Sequence, residues 1–206
     1  MPGNVLSNTS SSVIWVFMMV IVFAWLLRST YYGNTTTEEV RGKQYTVQVR
    51  ETSSDSKKAA RMLHLLSQRL QRFIDEARDL VPDDERIRNL QSRWSGTLTE
   101  TWKGDEIAYS LNKRNIHICI RSPTGIIEDV ETAMYVLLHE AAHVATNTYG
   151  HTPEYWTNFR FLLEWAEKLG VYKYRDFTEI QTTYCGHQLG RNVMQCVKKQ
   201  QCQSLL

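Results

Sequence analysis

The chain has few cysteines, almost no net charge and no repeated segment, and each of these shortages excludes a class of protein. Four cysteines among 206 residues are too few and too scattered for a small fold held together by disulfides. A formal net charge of +2 gives no overall field that would require nucleic acid as a partner. No internal repeat or low-complexity tract appears, as repeat proteins would require. An ordinary hydrophobic content of 42% predicts one globular domain with appendages.

The cysteines form no recognisable metal or disulfide pattern. Cys119 lies in a predicted strand, where we expect it to face the core. The other three are Cys185, Cys196 and Cys202. Together with His187 they could hold a second zinc ion, but their spacing is not one that zinc sites use. Free thiols are therefore the expected state of these three cysteines.

An unbroken apolar segment from Val13 to Leu27 predicts a transmembrane anchor in contact with a lipid bilayer. Its fifteen residues would span about 22 Å as a helix, less than the hydrocarbon core of about 30 Å. A span of twenty residues from Asn8 is long enough if the hydroxyls of Ser and Thr bond to the helix backbone. The candidate interfacial anchors are Trp15, Trp25, Tyr31 and Tyr32.

A cleaved signal peptide is the alternative interpretation of this segment. Signal peptides begin with positive residues and end at a small-residue cleavage site. The first twelve residues contain no Lys or Arg, and the bulky Tyr31 and Tyr32 follow the segment, so we predict an uncleaved single-pass anchor. The nearest basic residues, Arg28, Arg41 and Lys43, lie on its C-terminal side. The positive-inside rule then predicts that the rest of the chain is cytosolic.

The most informative segment reads His139-Glu140-Ala141-Ala142-His143, a pattern expected by chance in roughly 0.01 chains of this composition. Residues four apart on an α-helix point in nearly the same direction, so both imidazoles can reach one ion. Imidazoles suit zinc, and the glutamate beside them can act as a general base. An N-cap at Asp129, apolar residues at helical spacing and stop signals at Asn147 and Gly150 favour a helix here. The alternative is a surface helix with two incidental histidines.

A catalytic zinc site usually has three protein ligands, so a third ligand is expected. His151 is the first candidate, because it lies in a Gly-His-Thr-Pro turn that can bring its ring back to the ion. Thr152 and Pro153 are suited to cap and begin a further helix. Glu154 is the alternative ligand, and the weaker candidates are His117 and His187.

This set of residues predicts hydrolysis of a peptide bond. Zinc would lower the pKa of a water molecule towards ~7 and polarise the carbonyl group. Glu140 would take the proton from that water and pass it to the leaving amine. A tyrosine or histidine often stabilises the oxyanion in such sites. The candidate donors are Tyr149, Tyr155 and Tyr184.

A strand is predicted from Asn115 to Arg121, just before the metal-binding helix, because apolar and polar residues alternate there. An exposed edge at this place could pair with an extended peptide and align it over the zinc. The pairing residues would be Ile116, His117, Ile118 and Cys119. An interior position in the sheet is the alternative.

Periodicity and turn residues predict the remaining organisation. Helices are expected at Lys57 to Val81, at Asp83 to Trp94 and from Pro153 to Gly170, and short strands at Tyr45 to Val49, Thr97 to Trp102 and Ile107 to Leu111. The predicted regions are an N-terminal tail (1–12), a membrane anchor (13–27), a linker (28–43), a zinc peptidase domain (44–187) and a C-terminal tail (188–206).

From Leu98 to His187 the chain resembles the WLM and SprT-like zinc metallopeptidases, and more narrowly the short, membrane-anchored WLM-like proteins of large DNA viruses. The resemblance is strongest in the His-Glu-x-x-His motif, the Gly-His turn after it and an aromatic residue, Tyr155, four positions on. It implies a minimal zincin-like α+β fold with a small mixed sheet, preceded here by the N-terminal transmembrane helix. It also implies that His139, His143 and His151 bind zinc and that Glu140 is catalytic.

The chain departs from these families in two places. Many WLM sequences place the third histidine closer to the motif, and SprT-like enzymes often carry a C-terminal four-cysteine zinc ribbon, which this tail lacks. The expected function is a membrane-anchored zinc metallopeptidase that acts on a protein or peptide. The alternatives are a DNA-associated protease of DNA–protein crosslinks and a non-catalytic, zinc-stabilised membrane adaptor. Glu140 argues against the adaptor, because a structural zinc site needs no base.

Overall fold

The computed structural model describes residues 8–32, 35–49, 53–101, 106–177, 182–190 and 193–194. Contacts divide the chain into two compact units, Met1–Thr35 and Thr36–Leu206. Helices and small separate sheets make up the described part, so the predicted α+β class is confirmed. Most of the predicted tail at 188–206, with Cys196 and Cys202, lies outside the described residues.

The first unit contains helix α1 (Asn8–Tyr32), and here the prediction of a transmembrane anchor at 13–27 is wrong. No helix among the described residues is long and apolar enough to cross a bilayer. The unbroken apolar run from Val13 to Leu27 corresponds to about 22 Å of helix, against a hydrocarbon core of about 30 Å. The prediction of a single-pass membrane protein with a cytosolic catalytic domain is wrong for the same reason.

Strands β1 (Thr35–Val40) and β2 (Lys43–Gln48) form a two-stranded sheet. Arg41 and Gly42 connect them with φ values of 50° and 76°, the left-handed conformation that two-residue hairpin turns require. The sequence predicts a linker across 28–43, but the β-branched threonines that begin β1 also favour extended backbone. The strand therefore occupies part of the region predicted as a linker.

Three strands form a mixed sheet in the order β3-β5-β4: β3 (Leu98–Glu100), β4 (Ala108–Leu111) and β5 (Asn115–Ile118). β5 runs parallel to β3 and antiparallel to β4. The β4–β5 hairpin turns at Asn112 and Lys113, which both have positive φ. β5 is therefore the central strand of this sheet.

The helices of the second unit surround a common apolar core. They are α2 (Ser53–Leu80), α3 (Glu85–Arg93), α4 (Val130–Ala145) and α5 (Pro153–Lys168), and a short hairpin follows them, β6 (Thr183–Tyr184) with β7 (His187–Gln188). Most apolar side chains of α2 face this core, whereas Leu65 and Leu80 are exposed. α4 packs against α3, α5 and β4, and it is buried on almost every side. Each large apolar side chain buried in this way contributes about 1.5–3 kcal/mol.

One ion pair lies inside the core. The guanidinium of Arg121 donates to both carboxylate oxygens of Glu100 at 2.7 and 2.6 Å, and the two side chains are 0% and 1% exposed. Arg121 also donates to the carbonyl of Gln48, whose own N–H donates to Glu100. The pair therefore ties the end of β2 to β3 and to the segment after β5.

Candidate metal centre

The helix that carries the His-Glu-x-x-His motif is α4, as predicted. Its N-cap is Asp129, whose carboxylate accepts hydrogen bonds from the backbone N–H and the hydroxyl of Thr132 at 2.9 and 3.0 Å. Burial of Ala141, Ala142 and their neighbours fixes the rotation of α4 about its axis. His139 and His143 consequently lie on the one side of α4 that is not fully covered.

The third histidine is brought to the same point by the turn between α4 and α5. Nε2 of His151 lies 3.2 Å from Nε2 of His143 and 3.1 Å from Nε2 of His139. The ligand atoms of the three residues all lie within 4.8 Å of one another. These three histidines could hold a metal ion.

Burial keeps two of these rings in the neutral form that binds metals. Burial, followed by the neighbouring His143 and His151, lowers the pKa of His139 to about 3. The pKa of His143 is lowered to about 4, again mainly by burial and then by His151. Each ring therefore retains a lone pair near neutral pH.

Glu140 lies beside the three histidines and not among them. Neighbouring residues on a helix are about 100° apart, so Glu140 points away from His139 and towards β4. Its side chain is 5% exposed and makes a hydrogen bond with the side chain of Ser110 on β4. Burial raises the pKa of Glu140 to about 8, with a smaller contribution from Glu106. The carboxyl group thus sits in an apolar environment next to the histidines.

Tyr155, a predicted oxyanion donor, forms the floor of the site. Its ring stacks on His143 at a centroid distance of 4.3 Å and contacts the rings of His139 and His151. It is fully buried, which raises its pKa, and its hydroxyl donates to the carbonyl of His139 at 3.4 Å. The hydroxyl is therefore directed at the α4 backbone.

The other two predicted oxyanion donors, Tyr184 and Tyr149, make their contacts with residues other than the three histidines. Tyr184 is completely buried, and its hydroxyl donates to the carbonyl of Cys119. Tyr149 is 82% exposed, and its ring lies 4.4 Å from Nζ of Lys113. No geometry among the described residues selects one of the three tyrosines as an oxyanion donor.

The strand predicted to pair with a substrate is not at an edge. β5 pairs with β3 through Ile116 and with β4 through Ile118, so strands cover both of its sides. The prediction that this strand offers a free edge to a substrate is therefore wrong, and the alternative of an interior strand is correct. It applies to the four proposed pairing residues, Ile116, His117, Ile118 and Cys119. The prediction failed because alternation reports which face of a strand is buried, and not whether its edge is free. Within the described part of the chain, β4 is the edge strand that contacts α4.

The remaining candidate ligands lie apart from the three histidines. The ring of His117 stacks on Tyr109 at 4.6 Å. Glu154 accepts hydrogen bonds from the backbone N–H groups of Asn147 and Thr148, at 3.0 and 3.3 Å, and from the hydroxyl of Thr148 at 2.7 Å. The alternative ligand predicted from the sequence therefore lies at the start of α5 and binds the turn that carries His151.

A disulfide between Cys119 and Cys185 joins the residue after β5 to the β6–β7 hairpin. The prediction of a free thiol is wrong for Cys185, and its partner is Cys119, which was expected only to face the core. Their separation of 66 residues gave no local signal, because disulfide connectivity depends on the fold. The N–H of Cys185 donates to Glu128, which holds the hairpin against the segment before α4.

Comparison with known proteins finds viral relatives without an assigned activity. The chain is 27% identical to an uncharacterized protein of Acanthamoeba polyphaga mimivirus, over 83% of this chain and 89% of that protein. It is 41% identical over 69 residues to an uncharacterized protein of Invertebrate iridescent virus 3. It is 35% identical over 68 residues to one of Invertebrate iridescent virus 6.

The two iridescent virus alignments cover 33% and 32% of this chain, and 43% and 38% of those proteins. No protein-family model and no solved structure matches the chain. The resemblance to WLM and SprT-like peptidases therefore stays a prediction.

Proposed function

We propose that this protein is a zinc-dependent metallopeptidase that hydrolyses peptide bonds, with His139, His143 and His151 as the metal ligands. The observation that supports this most is the convergence of three Nε2 atoms on one point. Two nitrogens bound to one tetrahedral zinc ion at 2.0–2.1 Å lie about 3.3 Å apart. The distances of 3.1 and 3.2 Å from His151 to the other two nitrogens fit that requirement.

The donor set also supports a catalytic rather than a structural site. Structural zinc sites usually have four protein ligands, often cysteines, whereas catalytic sites have three and leave a position for water. Among the described residues, the group that could hold a metal contains three histidines and no cysteine or carboxylate. A zinc ion bound there would supply Lewis-acid chemistry, acidifying water and polarising a carbonyl group.

Glu140 is the proposed general base. Its carboxylate would accept a proton from the attacking water and later donate it to the leaving amine. Its low exposure excludes bulk water, which would otherwise exchange that proton. The contact with Ser110 leaves the carboxylate near β4, the edge strand. A peptide that pairs with β4 would therefore pass close to Glu140.

The test compares Glu140→Gln with a matched control in the full-length chain. Bound metal is measured by elemental analysis, and cleavage is followed on a mixture of unstructured peptides by mass spectrometry. Glu140→Gln should bind as much zinc as the wild type and lose at least about a hundredfold in turnover. The control Glu164→Gln makes the same chemical change at an exposed position of α5 and should alter neither property.

Two results would overturn the proposal. One is a wild-type protein that binds zinc stoichiometrically but cleaves no peptide in the mixture, which would indicate a zinc-stabilised binding protein. The other is undiminished turnover in Glu140→Gln, which would remove this residue from the chemistry.

A further inference from the structure

The three histidines are not held equally firmly by the backbone. His139 and His143 belong to α4, so the hydrogen-bonded helix fixes their spacing. His151 is exposed and lies in an irregular segment between α4 and α5. We call residues 146–151 the His151 turn. A ligand on such a segment would lose conformational freedom when a metal binds, unless other contacts already hold it.

The side chain of Lys113 forms hydrogen bonds with three carbonyl groups of this turn. Nζ of Lys113 donates to the carbonyl oxygens of Thr146, Asn147 and Thr148, at 2.5, 2.8 and 2.9 Å. An ammonium group has three N–H donors, so these contacts use all of them. The residues that it binds lie three to five positions before His151.

The carboxylate of a second residue, Glu154, binds N–H groups of the same turn. The carboxylate of Glu154 accepts the N–H groups of Asn147 and Thr148 and the hydroxyl of Thr148. The Thr148 hydroxyl, followed by the Asn147 N–H, lowers the pKa of Glu154. Arg93 of α3 donates to the carbonyl of Thr146 at 3.1 Å and to Oδ1 of Asn147 at 2.6 Å. The backbone of the turn is thus held from both sides.

Lys113 is unusually placed for this contact. It lies at the tip of the β4–β5 hairpin, where its own φ is 51° and that of Asn112 is 53°. Left-handed backbone is uncommon for a residue with a long side chain, and it persists where surrounding contacts favour it. Burial, and then the charge of Arg93, lowers the pKa of Lys113. The hairpin turn therefore holds the ammonium group against the His151 turn, although burial and the charge of Arg93 oppose its charged form.

We propose that Lys113 is a positioning residue, which fixes the His151 turn so that the third imidazole is in place before the metal binds. This inference rests on the metal site of the proposed function. It also means that the tip of β4, the edge strand, and the third metal ligand are held by one side chain. Groups that orient a metal ligand typically change metal affinity by 10–100-fold when they are removed.

The main variant is Lys113→Met in the full-length chain, which keeps the length of the side chain and removes its three donors. Zinc affinity, measured by competition with a chromophoric chelator, should fall by about tenfold or more. The matched control is Arg114→Met, one position along the same hairpin. Arg114 is exposed and makes no ion pair among the described residues, so its zinc affinity should stay within about twofold of the wild type.

A double-mutant cycle separates positioning from a general loss of structure. In a His151→Ala background, Lys113→Met should cause no further loss of zinc affinity, because the ligand through which it acts is gone. An equal loss in both backgrounds would overturn the proposal, and so would unchanged affinity of Lys113→Met. Circular dichroism checks that each variant is folded. If Lys113→Met does not fold, Glu154→Gln is used instead, because Glu154 holds the N–H groups of the same turn. Its zinc affinity should also fall, and an unchanged affinity would count against the proposal.

The outcomes also distinguish this inference from the proposed function. Zinc binding without peptide cleavage in the wild type overturns the peptidase proposal and leaves the role of Lys113 intact. Peptide cleavage together with unchanged zinc affinity in Lys113→Met overturns the role of Lys113 alone. A wild-type chain that binds no zinc overturns both.

Discussion

The ring of Tyr155 lies flat against the ring of His143, with centroids 4.3 Å apart and planes inclined by 27°. This contact comes from adjacent helices, because His143 is on α4 and Tyr155 is in the first turn of α5. The N-cap Thr152, whose hydroxyl accepts the N–H of Tyr155 at 3.3 Å, sets where that first turn begins. The start of α5 therefore determines the orientation of one of the three clustered histidines.

Tyr155→Phe should leave turnover within about threefold of the wild type. The substitution keeps the stacked ring and removes only a hydroxyl that donates to the carbonyl of His139 at 3.4 Å, a long hydrogen bond. An oxyanion donor would behave differently, since its loss typically lowers kcat by about 10²–10³. Steady-state kinetics on one cleaved peptide distinguishes these outcomes. Tyr155→Ala serves as the contrast, because loss of the ring should cost about 3–5 kcal/mol of stability.

Zinc should stabilise the folded protein in proportion to its affinity. A ligand that binds only the folded state at 100 times its Kd adds about 2.7 kcal/mol, which appears as a higher midpoint of thermal unfolding. The increase should disappear on addition of a chelator and should be much smaller in His151→Ala. Calcium at the same concentration is the control, because it prefers oxygen ligands and should have no effect. Equal shifts with both ions would argue against the histidine site.

Cys119→Ser should lower the free energy of unfolding by about 2–5 kcal/mol. The disulfide with Cys185 closes a loop of 66 residues, for which restriction of the unfolded chain predicts about 4 kcal/mol. Urea unfolding of the wild type with and without a reductant provides the measurement. The reductant should bring the wild type down to the level of Cys119→Ser and should leave that variant unchanged. Insensitivity of the wild type to the reductant would contradict the bond.

Glu100→Gln should destabilise the protein by about 3–5 kcal/mol, because it leaves the buried charge of Arg121 without a counter-charge. The double variant Glu100→Gln/Arg121→Met removes that charge as well and should be less destabilised than the sum of the two single variants. Denaturant unfolding of all four proteins gives the coupling between the two positions. Additive losses would show that the two side chains do not depend on each other.

Local signals predicted the elements that carry the site. Asp129 before α4, and Thr152 with Pro153 before α5, are capping patterns whose effect extends over only a few residues. The spacing of His139 and His143 then follows from helical geometry alone. The position of His151 was predictable because the turn that carries it is short and begins directly after α4.

Contacts between distant segments could not be predicted in this way. Lys113 meets carbonyl groups 33 to 35 residues further along the chain, and nothing in the sequence around it indicates that contact. The central position of β5 depends on β3 and β4 pairing on its two sides, which alternation does not encode. The apolar run in α1 predicted a bilayer span from its composition, but no helix among the described residues is both long and apolar enough to cross a membrane.

The bond between Cys119 and Cys185 encloses α4, the His151 turn and α5 in one covalent ring. A single cut of the backbone anywhere inside that ring would leave the two fragments attached to each other. Proteolysis in this region would therefore leave the band on a gel unchanged without reductant, and two shorter pieces would separate only after reduction. A preparation that looks intact without reductant would then already be cut in the segment that carries the three histidines.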